Sequence, residues 1–169
     1  LVWAFAEDKK RDMWLGTEKS GIAHVTDSVF THYERPPLRS HIVLSGMADH
    51  NGHVWFGTYK GGLYKIENNN LLEYQIIPNE KKISVISIAQ SKSGNMWFGT
   101  WGHGLFKYDG KKMTRYYNAD GLGKNAIFRI IEDFDGNISS FFNREFDSCF
   151  RIEWVWIVSC KFCRNDRNV

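Results

Sequence analysis

The sequence predicts an all-β fold built from repeated four-stranded units. A four-residue word, Trp-x-Gly-Thr, occurs three times, and its tryptophans lie 41 and then 42 positions apart. The chain is also rich in aromatic residues (15%) and in glycine (15 residues) but has only 3 prolines. This composition favours strands joined by tight turns. Because a repeat of roughly 40–45 residues with four short strands is typical of a propeller blade, we expect a partial β-propeller of three to four blades.

Each repeat carries the same residues in the same order. Glycine follows each tryptophan by seven positions, the next position is aliphatic, and a tyrosine stands nineteen positions after the tryptophan. Such regular recurrence indicates packing, so we expect these side chains to fill the layers between neighbouring blades. The predicted structural residues are Trp14, Gly16, Thr17, Gly21 and Tyr33, then Trp55, Gly57, Thr58, Gly62 and Tyr74, then Trp97, Gly99, Thr100, Gly104 and Tyr116.

The third repeat shows the four strands most clearly. Alternating or aromatic-rich runs predict the strands, and glycine-bearing turns separate them. The predicted strands are 85–90, 96–100, 105–108 and 113–117, and the turns are 93–95, 101–104 and 109–111. The glycines of the second turn are expected to adopt positive φ. After a longer loop, an apolar segment at 126–131 opens a fourth repeat.

The fourth repeat breaks off soon after it begins. In the earlier repeats, Asp8 and Asp49 stand six residues before the tryptophan, and Gly52 and Gly94 stand three residues before it. The same pair recurs as Asp133 and Gly136, which predicts a tryptophan at position 139, where the chain has a serine. We therefore divide the chain into blade repeats at 1–138 and a divergent tail at 139–169. Two explanations remain open: the gene is frameshifted or truncated near codon 138, or the tail is a divergent last blade that caps the array.

Charge and hydropathy exclude several classes of protein. The net charge is only +3, and the short basic clusters at 9–11 and 111–112 are expected to be solvated turns, so we predict no nucleic-acid partner. The longest apolar run, 154–158, is far shorter than the roughly 18 residues of a membrane span, so no membrane segment is expected. Because no methionine or signal peptide begins the chain, we expect it to be a fragment.

Several segments of the third repeat carry a resemblance to a known family. They are Gly-Asn-Met-Trp-Phe-Gly-Thr at 94–100, Gly-Leu-Phe-Lys-Tyr-Asp-Gly at 104–110, Tyr116, Asp-Gly-Leu at 120–122 and Ile-Glu-Asp at 131–133. Together they resemble the two-component regulator propeller repeat. The likeness extends through the blade repeats, with many columns in register over three copies.

The resemblance implies a function. Such repeats build the extracytoplasmic sensor regions of bacterial hybrid histidine kinases and related regulators. In that family the propeller itself is non-enzymatic. The resemblance implies a periplasmic or extracytoplasmic location and an extracellular ligand, often a glycan. It also implies that further blades and a signalling module of the intact protein are the partners. The sequence departs from the family in having three complete copies and no transmembrane, kinase or DNA-binding segment.

Ligand contacts are predicted in the turns that follow the tryptophan strands. Tyr59 and Lys60 occupy this turn in the second repeat, and Trp101 and His103 occupy it in the third. Variable polar and aromatic residues on a repeated scaffold are typical of a binding surface, although unconstrained loops have the same composition.

Two alternative functions stay open. Streptogramin-type lyases have similar blade words and use histidine with a divalent metal, and the candidate residues here would be His50, His53 and His103. Such an enzyme needs these groups on one face of a closed propeller. The other alternative is a non-functional remnant of a broken sensor gene, which would self-associate through its terminal blades.

Two further groups have the composition of metal or redox sites. Cys160 and Cys163 have the spacing of a zinc or redox pair, but Cys149 is the only other cysteine, whereas a structural zinc site needs four ligands. The histidines and aspartate within 49–53 are better explained as a surface turn before the tryptophan strand. We therefore expect neither a metal nor another cofactor.

Overall fold

A computed structural model of the chain describes residues 1–27, 29–33, 38–80, 82–117, 125–141, 151–152 and 155–156. These residues form three four-stranded antiparallel sheets and two two-stranded ones. They contain no helix that is long and apolar enough to cross a membrane. The all-β, partial-propeller fold predicted from the repeats is confirmed.

Each complete sheet is one blade whose strands follow one another in chain order. Blade 1 consists of β1 (Val2–Glu7), β2 (Met13–Thr17), β3 (Ile22–Val25) and β4 (Phe30–Tyr33). Blade 2 consists of β5 (Val43–Ala48), β6 (Val54–Thr58), β7 (Gly62–Glu67) and β8 (Asn70–Tyr74). Blade 3 consists of β9 (Val85–Gln90), β10 (Met96–Thr100), β11 (Leu105–Tyr108) and β12 (Met113–Tyr116). The fourth unit contains β13 (Arg129–Glu132) and β14 (Ile138–Phe141), and a separate hairpin contains β15 (Arg151–Ile152) and β16 (Val155–Trp156).

The strands of blade 3 follow the sequence prediction closely. β9, β10 and β11 have the predicted bounds, and β12 ends one residue early, at Tyr116. β13 begins three residues after the predicted opening of the fourth unit. Gly102 and Gly104 both have φ of +89°, so the positive-φ turn is confirmed.

The blades are arranged like a fan, and the first strand of each blade lies at its centre, nearest the propeller axis. β1 contacts β5, β5 contacts β9, and β9 contacts β13, whereas the fourth strands make no comparable contacts with one another. This arrangement answers a question that the sequence leaves open, namely which strand faces the propeller axis. Serine hydroxyls on two inner strands also join neighbouring blades, since Ser45 Oγ donates to Val85 O (3.3 Å) and Ser87 Oγ donates to Ile127 O (3.0 Å).

The three tryptophans of the repeated word are buried between blades. Trp14 belongs to one apolar cluster with side chains of blade 2, Trp55 to another with side chains of blade 3, and Trp97 to a third with Ile127 and Ile138 of the fourth unit. The tyrosine column packs on them, with ring centroids 5.6, 5.2 and 6.0 Å from the respective tryptophan rings. Both columns therefore lie in the layers between neighbouring blades.

The glycine of the word marks the point where the next blade approaches most closely. A Cβ on Gly99 would lie 2.6 Å from Ile127 O and 2.8 Å from Ile127 Cγ2. The inner strands of blades 2 and 3 press in the same way on Gly16 and Gly57. Since real Cβ contacts are never this short, any larger residue would push the blades apart.

The threonine of the word fixes the turn between the second and third strands. Its hydroxyl donates to the carbonyl oxygen of the glycine four positions later. The distances are 3.0 Å for Thr17 and Gly21, 2.9 Å for Thr58 and Gly62, and 2.6 Å for Thr100 and Gly104. Each glycine has positive φ, which glycine adopts without the steric cost that other residues meet.

Candidate functional site

The four predicted ligand-contact residues lie at one end of the fan. Tyr59 and Lys60 follow β6, and Trp101 and His103 follow β10. We call the two segments 59–61 and 101–104 the rim turns. Both join the second strand of a blade to its third strand, so the repeat places them at matching positions of neighbouring blades.

Ser84 ties the two rim turns together. The main-chain N–H of Lys60 donates to Ser84 Oγ (2.9 Å), and the main-chain N–H of Trp101 donates to Ser84 O (2.9 Å). Ser84 is buried and immediately precedes β9. The two turns are therefore held on a shared backbone frame, while their side chains remain free to differ.

The rim turn of blade 3 presents an aromatic pair to solvent. Trp101 is 56% exposed, and its ring lies 5.4 Å from that of Phe128 at an interplanar angle of 62°. The backbone below it is well fixed, because the N–H groups of Gly102 and Gly104 both donate to Asn125 O, at 3.0 and 2.9 Å. An exposed indole on a rigid turn offers an apolar face to a ligand without a large loss of conformational entropy on binding.

Polar groups surround this aromatic pair. His103 Nδ1 lies 3.3 Å from Trp101 O, and Arg115 Nε donates to His103 O (2.7 Å). The Arg115 guanidinium also lies 5.2 Å from the centroid of the Tyr117 ring. The arrangement combines an exposed indole with nearby hydrogen-bonding groups, which suits binding by stacking and hydrogen bonding.

The rim turn of blade 2 has a related composition. Lys60 has a left-handed backbone (φ of 53°), and its ammonium lies 5.1 Å from the centroid of the Tyr59 ring. Tyr59 is 38% exposed. The two rim turns thus each show one exposed aromatic ring.

The histidines of the lyase alternative do not share one face. His50 and His53 precede β6, whereas His103 follows β10, at the other end of the neighbouring blade. A five-residue strand is about 17 Å long, so roughly that distance separates the two ends. The residues proposed for metal-dependent catalysis are therefore not brought together within the described part of the chain.

The segment around His50 and His53 is the turn that the sequence predicts. Asp49 Oδ1 accepts hydrogen bonds from the N–H groups of Asn51 and His53, both at 2.9 Å. The His53 ring lies between Asp49 Oδ2 (3.1 Å) and Glu67 Oε1 (2.9 Å). Both ring nitrogens therefore already have carboxylate partners.

The carboxyl group of Asp49 anchors this turn to the blade core. Burial opposes its ionisation, but hydrogen bonds from Trp55 Nε1 (2.9 Å), the His53 N–H and the His53 ring outweigh that cost. Together with the positive field of His53, they hold the pKa of Asp49 below its ordinary value.

Sequence reasoning noted the aspartate six residues before the tryptophan but missed its role. Asp8 and Asp49 each accept a 2.9 Å hydrogen bond from the indole N–H of the tryptophan of their blade. Blade 3 has Ser91 in this column, and among the described residues nothing accepts from the buried Trp97 Nε1. The constant spacing of six was the signal that could have revealed this indole cap.

A second missed column lies on the other side of the indole rings. The residue paired with each tryptophan on the third strand is His24, Lys65 or Lys107. The His24 ring stacks on Trp14 at 3.8 Å, and the two ammonium groups lie 5.6 Å from their indole rings. These contacts stabilise the blades by stacking and cation–π attraction.

One three-residue cluster has the composition of a metal site. Ligand atoms of Asp8, Asp12 and His24 lie within 4.8 Å of one another. They already have protein partners, since Asp8 accepts from Trp14 Nε1 and His24 Nε2 lies 3.2 Å from Asp12 Oδ2. We assign the cluster to blade packing. Cys149, Cys160 and Cys163 lie outside the described residues, so their roles stay predictions.

Comparison with known proteins tests the family resemblance. The family model of the two component regulator propeller matches residues 79–102. This segment runs from the connection between blades 2 and 3, through β9 and β10, into the rim turn of blade 3. No curated protein matches the sequence.

Solved structures share the fold of this propeller repeat array. The extracellular domain of a hybrid two component system from B. thetaiotaomicron matches with a TM-score of 0.71 and 23% identity, over 84% of this chain and 21% of that chain. The extracellular domain of a one component system from the same organism gives 0.70 and 19%, over 84% and 22%. Virginiamycin B lyase from Staphylococcus aureus gives 0.68 and 19%, over 85% and 50%.

These likenesses establish the propeller fold and show how much of each longer protein the chain covers. The chain spans about a fifth of the two bacterial extracellular domains and half of the lyase. Extracellular domains of two component and one component systems and an enzyme share the fold, so the fold alone does not decide between their functions.

Proposed function

We propose that the chain is part of an extracytoplasmic sensor propeller and that its rim turns bind an extracellular ligand, with a glycan as the leading candidate. The ligand would contact Trp101, His103, Tyr59 and Lys60 at the end of the blades where the second strands lead into the third strands. The remaining blades and a signalling module of the intact protein would convert binding into a signal.

Trp101, which is exposed and stands beside the half-buried ring of Phe128, carries this proposal. A solvent-exposed indole has no packing role of the kind that explains the buried tryptophans at 14, 55 and 97. Aromatic faces flanked by hydrogen-bonding groups suit sugar rings, which present an apolar face and a polar edge. The propeller repeat at 79–102 and the sensor domains that share the fold support the same role.

Binding of the full-length chain to an oligosaccharide array, followed by calorimetry on each positive sugar, tests this proposal. Trp101→Ala should weaken binding at least tenfold, because it removes the stacking surface. Phe134→Ala is the matched control, since Phe134 is a fully exposed aromatic residue in the turn between β13 and β14, at the opposite end of the blades. The proposal is wrong if no sugar binds, or if both variants bind as tightly as the wild type.

A further inference from the structure

The inner strands of the fan surround an open cavity on the axis side of the blades. It has a volume of about 430 Å³ and is lined by residues 3–5 of β1, 45–46 of β5, 87–88 of β9 and 128–130 of the fourth unit. We call it the axial cavity, because its described lining comes from the first strands of the units and from Phe128, just before β13. Pockets for small ligands have volumes of about 300–1,000 Å³, so the axial cavity is large enough to hold one.

A β-bulge near the rim-turn end of each inner strand sets one residue apart from the ladder. The pairing skips Trp3 in blade 1, Leu44 in blade 2 and Ile86 in blade 3. Phe128 holds the same position in the fourth unit, one repeat after Ile86. Bulges re-aim side chains and occur often next to functional sites. Here they place Trp3, which is 53% exposed, and the ring of Phe128 in the lining of the axial cavity.

The axial cavity adjoins the rim turn of blade 3. Phe128 belongs to both, because it lines the cavity and its ring lies 5.4 Å from that of Trp101. Aromatic surface therefore extends from the rim turn to the axis side of the fan. A ligand that stacks on Trp101 and is longer than one sugar ring would also contact the axial cavity.

Arg129 gives the axial cavity a positive charge. Its side chain is exposed, and it is the only charged residue among the described residues of the lining. No carboxylate of the described residues pairs with its guanidinium. Blades 2 and 3 have Ser45 and Ser87 in this column, so the charge is confined to the fourth unit. A free guanidinium beside aromatic rings attracts an anion, and its fork of N–H groups fits a carboxylate through two parallel hydrogen bonds.

We propose that the axial cavity is a second subsite, which takes the carboxylate-bearing ring of an acidic oligosaccharide whose neighbouring ring stacks on Trp101. Arg129 pairs with the carboxylate, and the rings of Trp3 and Phe128 pack on the apolar face of the same sugar. This inference rests on the glycan binding proposed above and narrows the ligand to sugars that contain a uronic acid.

Matched sugars test the proposal on the full-length chain. Short oligosaccharides of polygalacturonate, alginate and hyaluronan are each compared by calorimetry with their carboxyl-reduced counterparts, in which the acid has become an alcohol. The titrations are made at low salt and at about 0.5 M sodium chloride. The variants are Arg129→Gln and Trp3→Ala. The control is Arg11→Gln, which removes an exposed guanidinium from the turn between β1 and β2, at the opposite end of the blades.

At least one acidic oligosaccharide should bind tenfold or more tightly than its reduced counterpart at low salt, because only the acid forms the charged pair. This preference should shrink at high salt, since ions screen a pair that is open to solvent. Arg129→Gln should abolish the preference and leave the affinity for the reduced sugar unchanged, which also shows that the variant is folded. Trp3→Ala should weaken the binding of both sugars severalfold, and Arg11→Gln should change neither.

The proposal is wrong if acidic and reduced sugars bind the wild type equally, or if the preference survives Arg129→Gln. In either case, sugars whose binding Trp101→Ala still weakens would leave the rim-turn proposal standing, so that only the axial subsite fails. If no sugar binds at all, both proposals are overturned.

Discussion

At the scale of single residues, hydrogen-bond partners distinguish blades that share the same tryptophan. Trp14 and Trp55 each donate to an aspartate, whereas Trp97 is buried with no acceptor among the described residues. An unsatisfied buried N–H costs about 1–3 kcal/mol because it loses its hydrogen bond to water without replacement. Blade 3 therefore lacks a contribution that the other two blades have.

Ser91→Asp should supply the missing acceptor. In blade 2, Asp49 accepts from the residue four positions later and from the indole, and Ser91 already accepts from the N–H of Asn95 at 3.1 Å. The substitution should raise the free energy of unfolding by about 1 kcal/mol in urea at neutral pH. Asp49→Ser is the reciprocal control and should lower it. An unchanged or lowered value for Ser91→Asp would contradict the capping role.

At the scale of the strand, the word Trp-x-Gly-Thr combines three separate constraints. The tryptophan fills the layer toward the next blade, the glycine admits the inner strand of that blade, and the threonine hydroxyl closes the following turn. The first two constraints concern the next blade, and the third concerns a turn of the same blade. This explains why the word recurs unchanged while the turns after it vary.

Gly99→Ala should loosen the contact between blade 3 and the fourth unit. The new Cβ would meet Ser87 Oγ within blade 3 as well as Ile127 O and Ile127 Cγ2 of the fourth unit, and the backbone oxygen cannot move away cheaply. We expect a loss of about 1–3 kcal/mol in the free energy of unfolding. Gly110→Asn is the control, since nothing lies within 4 Å of the new Cβ; its φ of +94° strains any side chain, and asparagine is among the residues that meet this strain least. Similar losses for both variants would mean that backbone conformation, not blade contact, sets the cost.

At the scale of the molecule, the blades differ in how much of each is covered. Every residue of β6 in blade 2 and of β10 in blade 3 is buried, because a neighbour packs on both faces. In the matching strand of blade 1, β2, buried residues alternate with partly exposed ones. The fan is therefore expected to be least stable at blade 1.

Amide hydrogen exchange should follow this gradient. Local opening costs less where fewer apolar contacts are lost, so β2 should exchange at least tenfold faster than β6 under native conditions. The two strands have the same length and share the Trp-x-Gly-Thr word, which makes β6 the internal control. Equal protection, measured by mass spectrometry on overlapping peptides, would show that the array opens as one unit.

The fold could be predicted from the sequence because the length of the repeat, the glycine turns and the recurrent tryptophan, glycine and tyrosine positions all indicate four-stranded blades. The strands of blade 3 could be placed almost to the residue, since glycine turns separate them and their side chains alternate. The face toward the axis could not be assigned, because it depends on contacts between residues about 40 positions apart, such as Ser87 with Ile127.

The candidate site was less accessible to sequence reasoning than the fold. The rim turns could be located by their offset from Trp55 and Trp97, but nothing in the sequence marks Ser84 as the residue between them. The indole caps were visible only as a spacing of six. In both cases the hydrogen bond joins groups whose distance depends on how the blades pack.

The position of Ser84 makes the two rim turns mechanically dependent on each other. Its hydroxyl accepts a hydrogen bond from the turn of blade 2, and its carbonyl accepts one from the turn of blade 3. One residue therefore links the two turns. A displacement of Trp101 is therefore expected to reach Lys60 through the backbone and side chain of Ser84. A tilt of one blade relative to the other is therefore expected to change the distance between the exposed rings of Tyr59 and Trp101.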